Sequence, residues 1–389
     1  MRKTYKYRLY PSKSQEAKLL STLDVCRILY NSCLVDRKNH YESTGKGLSR
    51  IRQQEILTAD KKRVLLLKEV HSQVLQDVLF RVERAYQGFF RRLAEKQGKA
   101  GYPRFKPEGR YDSITYPQEP GFRIEEGKLK LSKVGHLKIK MHRDIVGQVK
   151  TCTILKDGNH WYACFSVEYE PEKRPVPAQS TGIDVGLKSF ATLSDGTEIA
   201  NPKHLRKAEA RLRRTQRSLS RKKKGGANRK KAKLVVASLH RKVRNQRLDF
   251  HHQEARKIVN AFGLIVAEDL KIRNMVRNRH LSKSISDAGW GSFLLILASK
   301  AEEAGCQFEK VDPRNTSVNC SSCGEKVPKS LAVRTHRCPA CGLVMDRDHN
   351  AAINILQRAT AGTAESYAWG EPVLSGHSLN QEATLLAAW

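Results

Sequence analysis

Apolar and polar residues alternate from the start of the chain. Tyr5, Tyr7 and Leu9 stand between polar neighbours, which predicts a half-buried strand over residues 4–10 that Pro11 ends. Ser12 with Gln15 three residues on is a capping-box signal, and the next ~30 residues read as helix. A second helical stretch is predicted from about Leu65 to Glu95. There Val74, Val78, Val82, Ala85, Phe89 and Leu93 recur every three or four residues, opposite Arg81, Arg84, Arg91 and Arg92. From about Tyr111 the period becomes two. Leu129, Leu131, Leu137, Ile139 and Met141 alternate with polar residues, and Trp161, Ala163, Phe165, Val167 and Tyr169 do so after the turn Asp157-Gly158-Asn159. Pro171, Pro175 and Pro177 read as a stiff linker. The sum is a small β-rich domain, a barrel that also recruits the N-terminal strand and is interrupted by a helical hairpin.

Beyond Ser180 the pattern predicts two strands, Thr181–Gly186 and Phe190–Leu193, and a buried strand in the continuous apolar run Phe262–Ala267, which ends at Glu268-Asp269. Trp290, Phe293, Leu294, Leu297, Ala298 and Ala301 form the apolar stripe of a helix, with Ser286 or Asp287 as its expected cap. Thr360 to Trp389 is weakly patterned and reads as a loose tail.

Charge narrows the function. The 389 residues carry 72 Lys and Arg against 39 Asp and Glu, a formal charge of +33, which points to a polyanionic partner. Residues 203–244 alone hold 18 Lys or Arg and one acid, Glu209, with Gly225 and Gly226 marking a bend between two helical arms. A run this basic repels itself and needs a counter-charge, so we read it as a phosphate-tracking arm rather than a solvated helix face. Mean hydropathy is −0.57 and no apolar run approaches ~18 residues, so no transmembrane helix is predicted. Met1-Arg2-Lys3-Thr4-Tyr5-Lys6 has no apolar segment behind it, and no secretory leader is expected.

Of nine cysteines, Cys26, Cys33, Cys152, Cys164 and Cys306 are scattered among apolar residues. Cys320-x-x-Cys323-Gly324 and Cys338-x-x-Cys341-Gly342 form two tight pairs, the signature of a four-thiolate zinc site in a reducing compartment rather than of disulfides. With four thiolates no coordination position stays open, so this zinc should be structural and His336 redundant. Three acids stand out by placement: Asp184 in a strand after a glycine, Glu268 at the end of an apolar strand, and Asp348 opening a helix whose Ala352, Ile355 and Leu356 face inward. Buried carboxylates need cations, and hard oxygen ligands suit Mg²⁺ or Mn²⁺, two of which would stabilise both oxygens of an in-line displacement at phosphorus. Each acid has a plainer reading: Asp348 could merely cap its helix, and Glu268 could be a surface acid. Periodicity alone does not bring the three together.

Gly182-Ile183-Asp184-Val185-Gly186-Leu187-Lys188, Ala267-Glu268-Asp269-Leu270-Lys271, Ser284-Ile285-Ser286-Asp287-Ala288-Gly289-Trp290-Gly291, the paired Cys-x-x-Cys-Gly and Asp346-Arg347-Asp348-x-Asn350-Ala351-Ala352 occur in this order. In this the chain resembles the TnpB family, RNA-guided nucleases of bacterial insertion sequences similar to type V CRISPR effectors. Tyr7-x-Leu9-Tyr10-Pro11, Ala85-Tyr86-x-x-Phe89-Phe90 and Gly101-Tyr102-Pro103-Arg104-Phe105 extend the likeness upstream.

The resemblance implies an α+β multidomain protein: a β-barrel wedge domain with a helical recognition insert, then an RNase H-like RuvC nuclease domain with an inserted four-cysteine zinc ribbon. The expected division is a wedge strand at 1–10, the helical insert at 11–110, the wedge barrel at 111–178, the nuclease at 179–359 and the tail at 360–389. Within the nuclease lie basic arms at 203–244 and the zinc ribbon at 316–345. Asp184, Glu268 and Asp348 become the metal-binding catalytic acids, and Cys320, Cys323, Cys338 and Cys341 the zinc ligands. Arg221, Lys222, Lys223, Lys224, Arg229, Lys230 and Lys231 would grip RNA or heteroduplex, and Gln76 would contact a short motif beside the target.

The implied activity is metal-dependent hydrolysis of double-stranded DNA directed by a transposon-derived guide RNA. The protein would act as a cytoplasmic, monomeric ribonucleoprotein in a bacterium or archaeon. The alternatives are a catalytically idle RNA-guided repressor, against which the intact acids argue, and an accessory transposase.

Overall fold

The computed structural model describes residues 1–95, 100–172, 174–330 and 332–366. The chain divides into two compact units at Pro171, the first of the linker prolines. In the first unit, strand β1 (Arg2–Tyr10) buries Tyr5, Tyr7 and Leu9 and turns the residues between them outward. Helix α1 (Lys13–Thr44) begins at the capping box: Ser12 Oγ accepts from the Gln15 amide and Gln15 Oε1 accepts from the Ser12 amide. It ends at Gly45, whose left-handed φ of 68° lets the chain leave the helix.

Helices α2 (Arg50–Arg63), α3 (Leu65–Lys68) and α4 (Ser72–Ala94) follow. The predicted stretch from Leu65 is therefore broken before Ser72, and α2 is an element the pattern does not predict. Only Gln53 and Leu57 are buried in α2, so it carries no apolar stripe to read. It is held instead by Arg37 of α1, whose guanidinium reaches Gln53 at 2.7 Å and Glu83 of α4 at 2.6 Å.

Strands β2 (Ser113–Tyr116), β3 (Phe122–Glu125), β4 (Lys128–Leu131), β5 (Gly135–Lys140), β6 (Gln148–Asp157) and β7 (His160–Glu168) complete an antiparallel sheet ordered β2-β6-β7-β1-β5-β4-β3. The N-terminal strand thus sits in the middle, paired with β7 and β5. The expected barrel is a curled sheet. Its edge strands β2 and β3 share no ladder, yet the Tyr116 hydroxyl at the β2 end donates to the Ser132 carbonyl beyond β4 at 3.3 Å.

The second unit opens with β8 (Ser180–Val185), β9 (Ser189–Leu193) and β10 (Glu198–Ala200). Helices α5 (His204–Ser220) and α6 (Ala227–Ala261) lead to β11 (Leu264–Glu268). Helices α7 (Ile272–Met275), α8 (Ser282–Ala288) and α9 (Trp290–Ala304) lead to β12 (Gln307–Val311). The sheet order is β10-β9-β8-β11-β12, with β11 parallel to both neighbours. A hairpin of β13 (Thr335–Arg337) and β14 (Val344–Asp346) precedes α10 (Arg347–Ser366). The helix therefore continues through residues expected in the tail, and 367–389 lie outside the described residues.

Each strand of a sheet has two faces, and here both are covered. Ile183, Phe190, Ile265 and Ala267 pack against α6 and α9 through Ile258, Val259, Phe293 and Leu297. Val266 packs on the other face against Ile355 and Ala359 of α10. That helix comes close because residue 182 is glycine: a Cβ there would lie 2.1 Å from the Ala352 carbonyl oxygen. No helix among the described residues is long and apolar enough to cross a membrane.

The expected cap of α9 needs correction. Ser286 and Asp287 lie inside α8, and Gly289, at φ 68°, breaks the chain between the two helices. Asp287 caps another helix instead: its carboxylate accepts from the amides of Leu205 at 2.9 Å and Arg206 at 3.4 Å, in the first turn of α5. A carboxylate offered to an amide 82 positions away leaves no local pattern.

Candidate active site and cysteine cluster

Strand alternation decides where the three acids point. Ile183 and Ala267 face α6 and α9, so Asp184 and Glu268, one residue further on, face the α10 side. The two strands run parallel and pair in register up to Ile183 and Ala267, which sets both carboxylates at the same edge of the sheet. Asp348 arrives there on the first turn of α10, its Oδ2 3.9 Å from where a Cβ on Gly186 would stand. The helix cap is Asp346, whose Oδ1 accepts from the amides of Asp348 at 2.8 Å and His349 at 3.4 Å. Asp348 is therefore released from the capping role.

Electrostatics agree with convergence. Burial, then the negative Glu268 and Asp348, hold the Asp184 carboxyl well above the usual carboxylate range, while Arg347 opposes them. Burial also raises Glu268, against the hydrogen bond from Thr316 and the charge of Arg358. Thr316 Oγ1 donates to Glu268 Oε1 at 2.6 Å. Asp348 is met by Arg347 at 3.2 Å and Arg334 at 3.5 Å. Asp184 and Glu268 at the C-terminal ends of two parallel strands, with Asp348 at the start of α10 close enough for its charge to be felt at Asp184, form a site that a divalent cation would relieve.

The cysteines meet more tightly. Among the described residues, the sulfurs of Cys320, Cys323, Cys338 and Cys341 all lie within 4.8 Å of one another. The Cys320–Cys341 and Cys323–Cys338 separations are 3.6 and 3.5 Å, near the ~3.8 Å edge of a sulfur tetrahedron around a metal at ~2.3 Å. The two turns are built alike. Gly324 and Gly342, at φ 78° and 75°, return their amides to the carbonyls of Cys320 and Cys338. Burial would raise the Cys320 thiol, but the amides of Cys323 and Ser322 aimed at its sulfur bring it down to about 6. The Glu325 amide would lower Cys323, but burial and the three other thiols push it up to about 12. The Cys320 thiolate thus forms readily while that of Cys323 is opposed, a conflict that a bound metal ion removes. These four residues could hold a structural metal such as zinc.

The basic residues are divided. Arg221, Lys223, Lys224, Lys230 and Lys231 stand at and after the bend, all exposed, and Lys222 is partly so. Arg229 is committed to the turn, donating to the carbonyls of Leu219 at 2.8 Å and Lys222 at 3.0 Å. Gln76 is half-buried on α4, in the other unit. Sequence reasoning misses Thr316, which has no signal of its own. It also gives no role to Asn350 and Asn354, whose four-residue spacing within an apolar stretch of α10 is a signal.

Known proteins resemble the chain along nearly its whole length. A family model described as "Probable transposase" matches residues 164–279, and one described as "Cas12f1-like, TNB domain" matches 290–355. A third, described as "Helix-turn-helix domain", matches 1–46, which fold here as β1 and the single long helix α1. The relatives sharpen this class into a lineage. A Streptomyces pristinaespiralis protein named "Putative RNA-guided DNA endonuclease" is 34% identical, covering 94% of this chain and 91% of its own. The Escherichia coli (strain K12) "Putative RNA-guided DNA endonuclease InsQ" is 33% identical, over 98% and 97%. "TnpB-like protein L770" of Acanthamoeba polyphaga mimivirus is 27% identical, over 57% and 45%. The chain belongs to the TnpB family.

Proposed function

We propose that this protein is an RNA-guided DNA endonuclease that cuts double-stranded DNA beside a short adjacent motif. Asp184, Glu268 and Asp348 are its metal-binding acids in a RuvC-type, RNase H-like domain spanning 179–359. The observation that carries the reading is that Asp184 and Glu268 end neighbouring parallel strands and that the charges of Glu268 and Asp348, from remote parts of the chain, both act on Asp184. Support comes from two relatives that match nearly the whole chain and bear the name RNA-guided DNA endonuclease.

The acids would hold Mg²⁺ or Mn²⁺, which supplies charge for the attacking and leaving oxygens of the phosphodiester. The chain's own residues do the rest. Thr316 fixes one oxygen of Glu268, Asp346 takes the capping task from Asp348, and Gly182 lets α10 approach. Arg334 and Arg347, now against Asp348, balance its charge. Zinc in the four-cysteine cluster would fix the 316–345 ribbon.

The lysines and Arg221 between α5 and α6 track the phosphates of the guide RNA or its heteroduplex, with affinity that falls steeply as salt rises. Target sequence is then read by base pairing, and the protein reads backbone shape. The wedge is formed by 1–10 and 111–178 and the helical insert by 11–110, where Gln76 meets the adjacent motif. The particle is a cytoplasmic, monomeric ribonucleoprotein.

Asp184→Ala tests the reading. Plasmid cleavage by the guide-loaded protein should fall by roughly 10⁴-fold, while guide-directed DNA binding is retained. Cleavage at the unaltered rate would remove the catalytic assignment.

A further inference from the structure

One face of α10 is polar between Asn350 and Arg358, and these side chains share one task. Asn350, Asn354, Gln357 and Arg358 lie four, three and one residues apart and so share a side of the helix. Asn350 Nδ2 donates to the Asn319 carbonyl at 2.8 Å, and its Oδ1 accepts from the Ser321 amide at 2.9 Å. Asn354 Nδ2 donates to the carbonyls of Thr316 and Asn319, both at 2.8 Å. Gln357 donates to the Ser321 carbonyl at 3.0 Å, and Arg358 to the carbonyls of Asp312 and Arg314.

Every one of these partners belongs to residues 312–321, the segment that leaves β12 and enters the first cysteine turn. Midway along it is Thr316, whose hydroxyl meets Glu268. Thr316, Asn350 and Asn354 are all buried, and burying two amides on a helix costs free energy unless their hydrogen bonds are made. Asparagine is also a poor helix former, so these positions serve the contact and not the helix.

The Thr316 hydroxyl has one hydrogen and two acceptors in reach, Glu268 at 2.6 Å and the Pro313 carbonyl at 3.1 Å. The shorter, charge-assisted bond to the carboxylate wins it. Oε1 of Glu268 is then fixed and Oε2 is left for another ligand.

We propose that Thr316 is a positioning residue for Glu268, clamped by the Asn350–Asn354 face of α10, and that this hydroxyl aims the carboxylate at the cation the acids share. The inference rests on the nuclease reading. α10 thereby carries Asp348 at its start and, over the turns that follow, holds the segment that orients Glu268. The same clamp joins the acid to the cysteine ribbon, since Asn350 and Gln357 grip Ser321 beside Cys320.

The test uses the guide-loaded protein and reads metal as well as activity. Thr316→Val keeps the shape and removes the hydroxyl, and Thr316→Ser keeps the hydroxyl. Mn²⁺ binding, followed by the electron paramagnetic resonance of free Mn²⁺, should weaken about 10-fold in Thr316→Val. The Mg²⁺ concentration giving half-maximal cleavage should rise by a similar factor. Target-DNA binding and the melting temperature should hold, and Thr316→Ser should behave as the unaltered protein.

Unaltered Mn²⁺ affinity in Thr316→Val, or equal impairment of the valine and serine variants, would overturn the role. Should Thr316→Val melt early, Asn354→Leu reads the same link through the clamp; a shift in the same direction supports it and unaltered Mn²⁺ affinity refutes it. Glu268→Gln separates the two readings. If it abolishes cleavage while Thr316→Val shifts nothing, only the positioning role fails. If it cleaves at the unaltered rate, the nuclease reading fails.

Discussion

The second unit contains two clusters of would-be ligands, and they are built in opposite ways. The cysteines come from two short turns, each closed by its own glycine and its own amides. The acids come from two strands and a helix, and nothing local tells any of them where the others are. A thiol cluster packs its sulfurs within 4.8 Å because the turns bring them there, whereas the carboxylates gather only when the sheet and α10 are assembled. The first kind of site folds a segment. The second works against the fold, because burial and the charges of Glu268 and Asp348 hold the Asp184 carboxyl well above the usual carboxylate range.

That contrast can be broken experimentally. Cys338→Ser should remove one equivalent of zinc by elemental analysis and lower the melting temperature of the second unit by about 10 °C or more, as a structural zinc supplies about 10–16 kcal/mol of apparent folding energy in small peptides. Asp184→Ala should leave that melting temperature level or higher. An Asp184→Ala protein that melts early would erase the distinction.

Gly182→Ala sharpens it. The added methyl would collide with the Ala352 carbonyl at 2.1 Å and the Leu356 amide at 2.7 Å, both rigid backbone. A loss of about 1–3 kcal/mol or more is expected in chemical denaturation, with cleavage falling further than stability does because Asp348 travels with the helix.

The next effect is smaller and concerns acid. His251 is buried against Phe190 and Phe293, and its Nε2 lies 2.9 Å from the Ala288 carbonyl oxygen. Burial carries its pKa down to about 4, aided by the charges of Arg247, His252 and His204 and opposed by the Ala288 carbonyl. The unfolded imidazole titrates near ~6.5, so the unfolded chain binds the proton first and the neutral ring's stabilising contribution is present above that pH. Stability should fall as pH drops from ~6.5 toward 4, and His251→Gln should flatten that slope in thermal melts.

The mildest change is Lys230→Ala with Lys231→Ala. Guide RNA binding should weaken modestly, and the slope of log affinity against log salt should shrink by about 0.7 for each phosphate no longer neutralised. An unchanged slope would take these lysines out of the RNA interface.

Much of the architecture can be read from local pattern. The first strand, the capping box at Ser12 and Gln15, the basic helical arms around Gly225 and Gly226, and both cysteine turns are written in neighbouring residues. Helix α2 escapes because Arg37 of α1, itself paired with Glu83 of α4, holds it through Gln53 where an apolar stripe normally would. Asp287 misleads for a related reason: a side chain's partner can be the next turn or a distant amide, and spacing does not distinguish them.

The amino-acid order alone determines the excess of positive charge, the thiol quartet and the standing of the three acids as unusual carboxylates. It does so because charge, glycine turns and ligand spacing act over a few residues. Whether the acids meet, which aspartate caps α10 and which stays free of that task, and what holds Glu268 are decided by the folded chain. Parallel strand pairing and helix-to-sheet packing join residues that share no neighbourhood in sequence, and only the covering of both sheet faces selects those pairs.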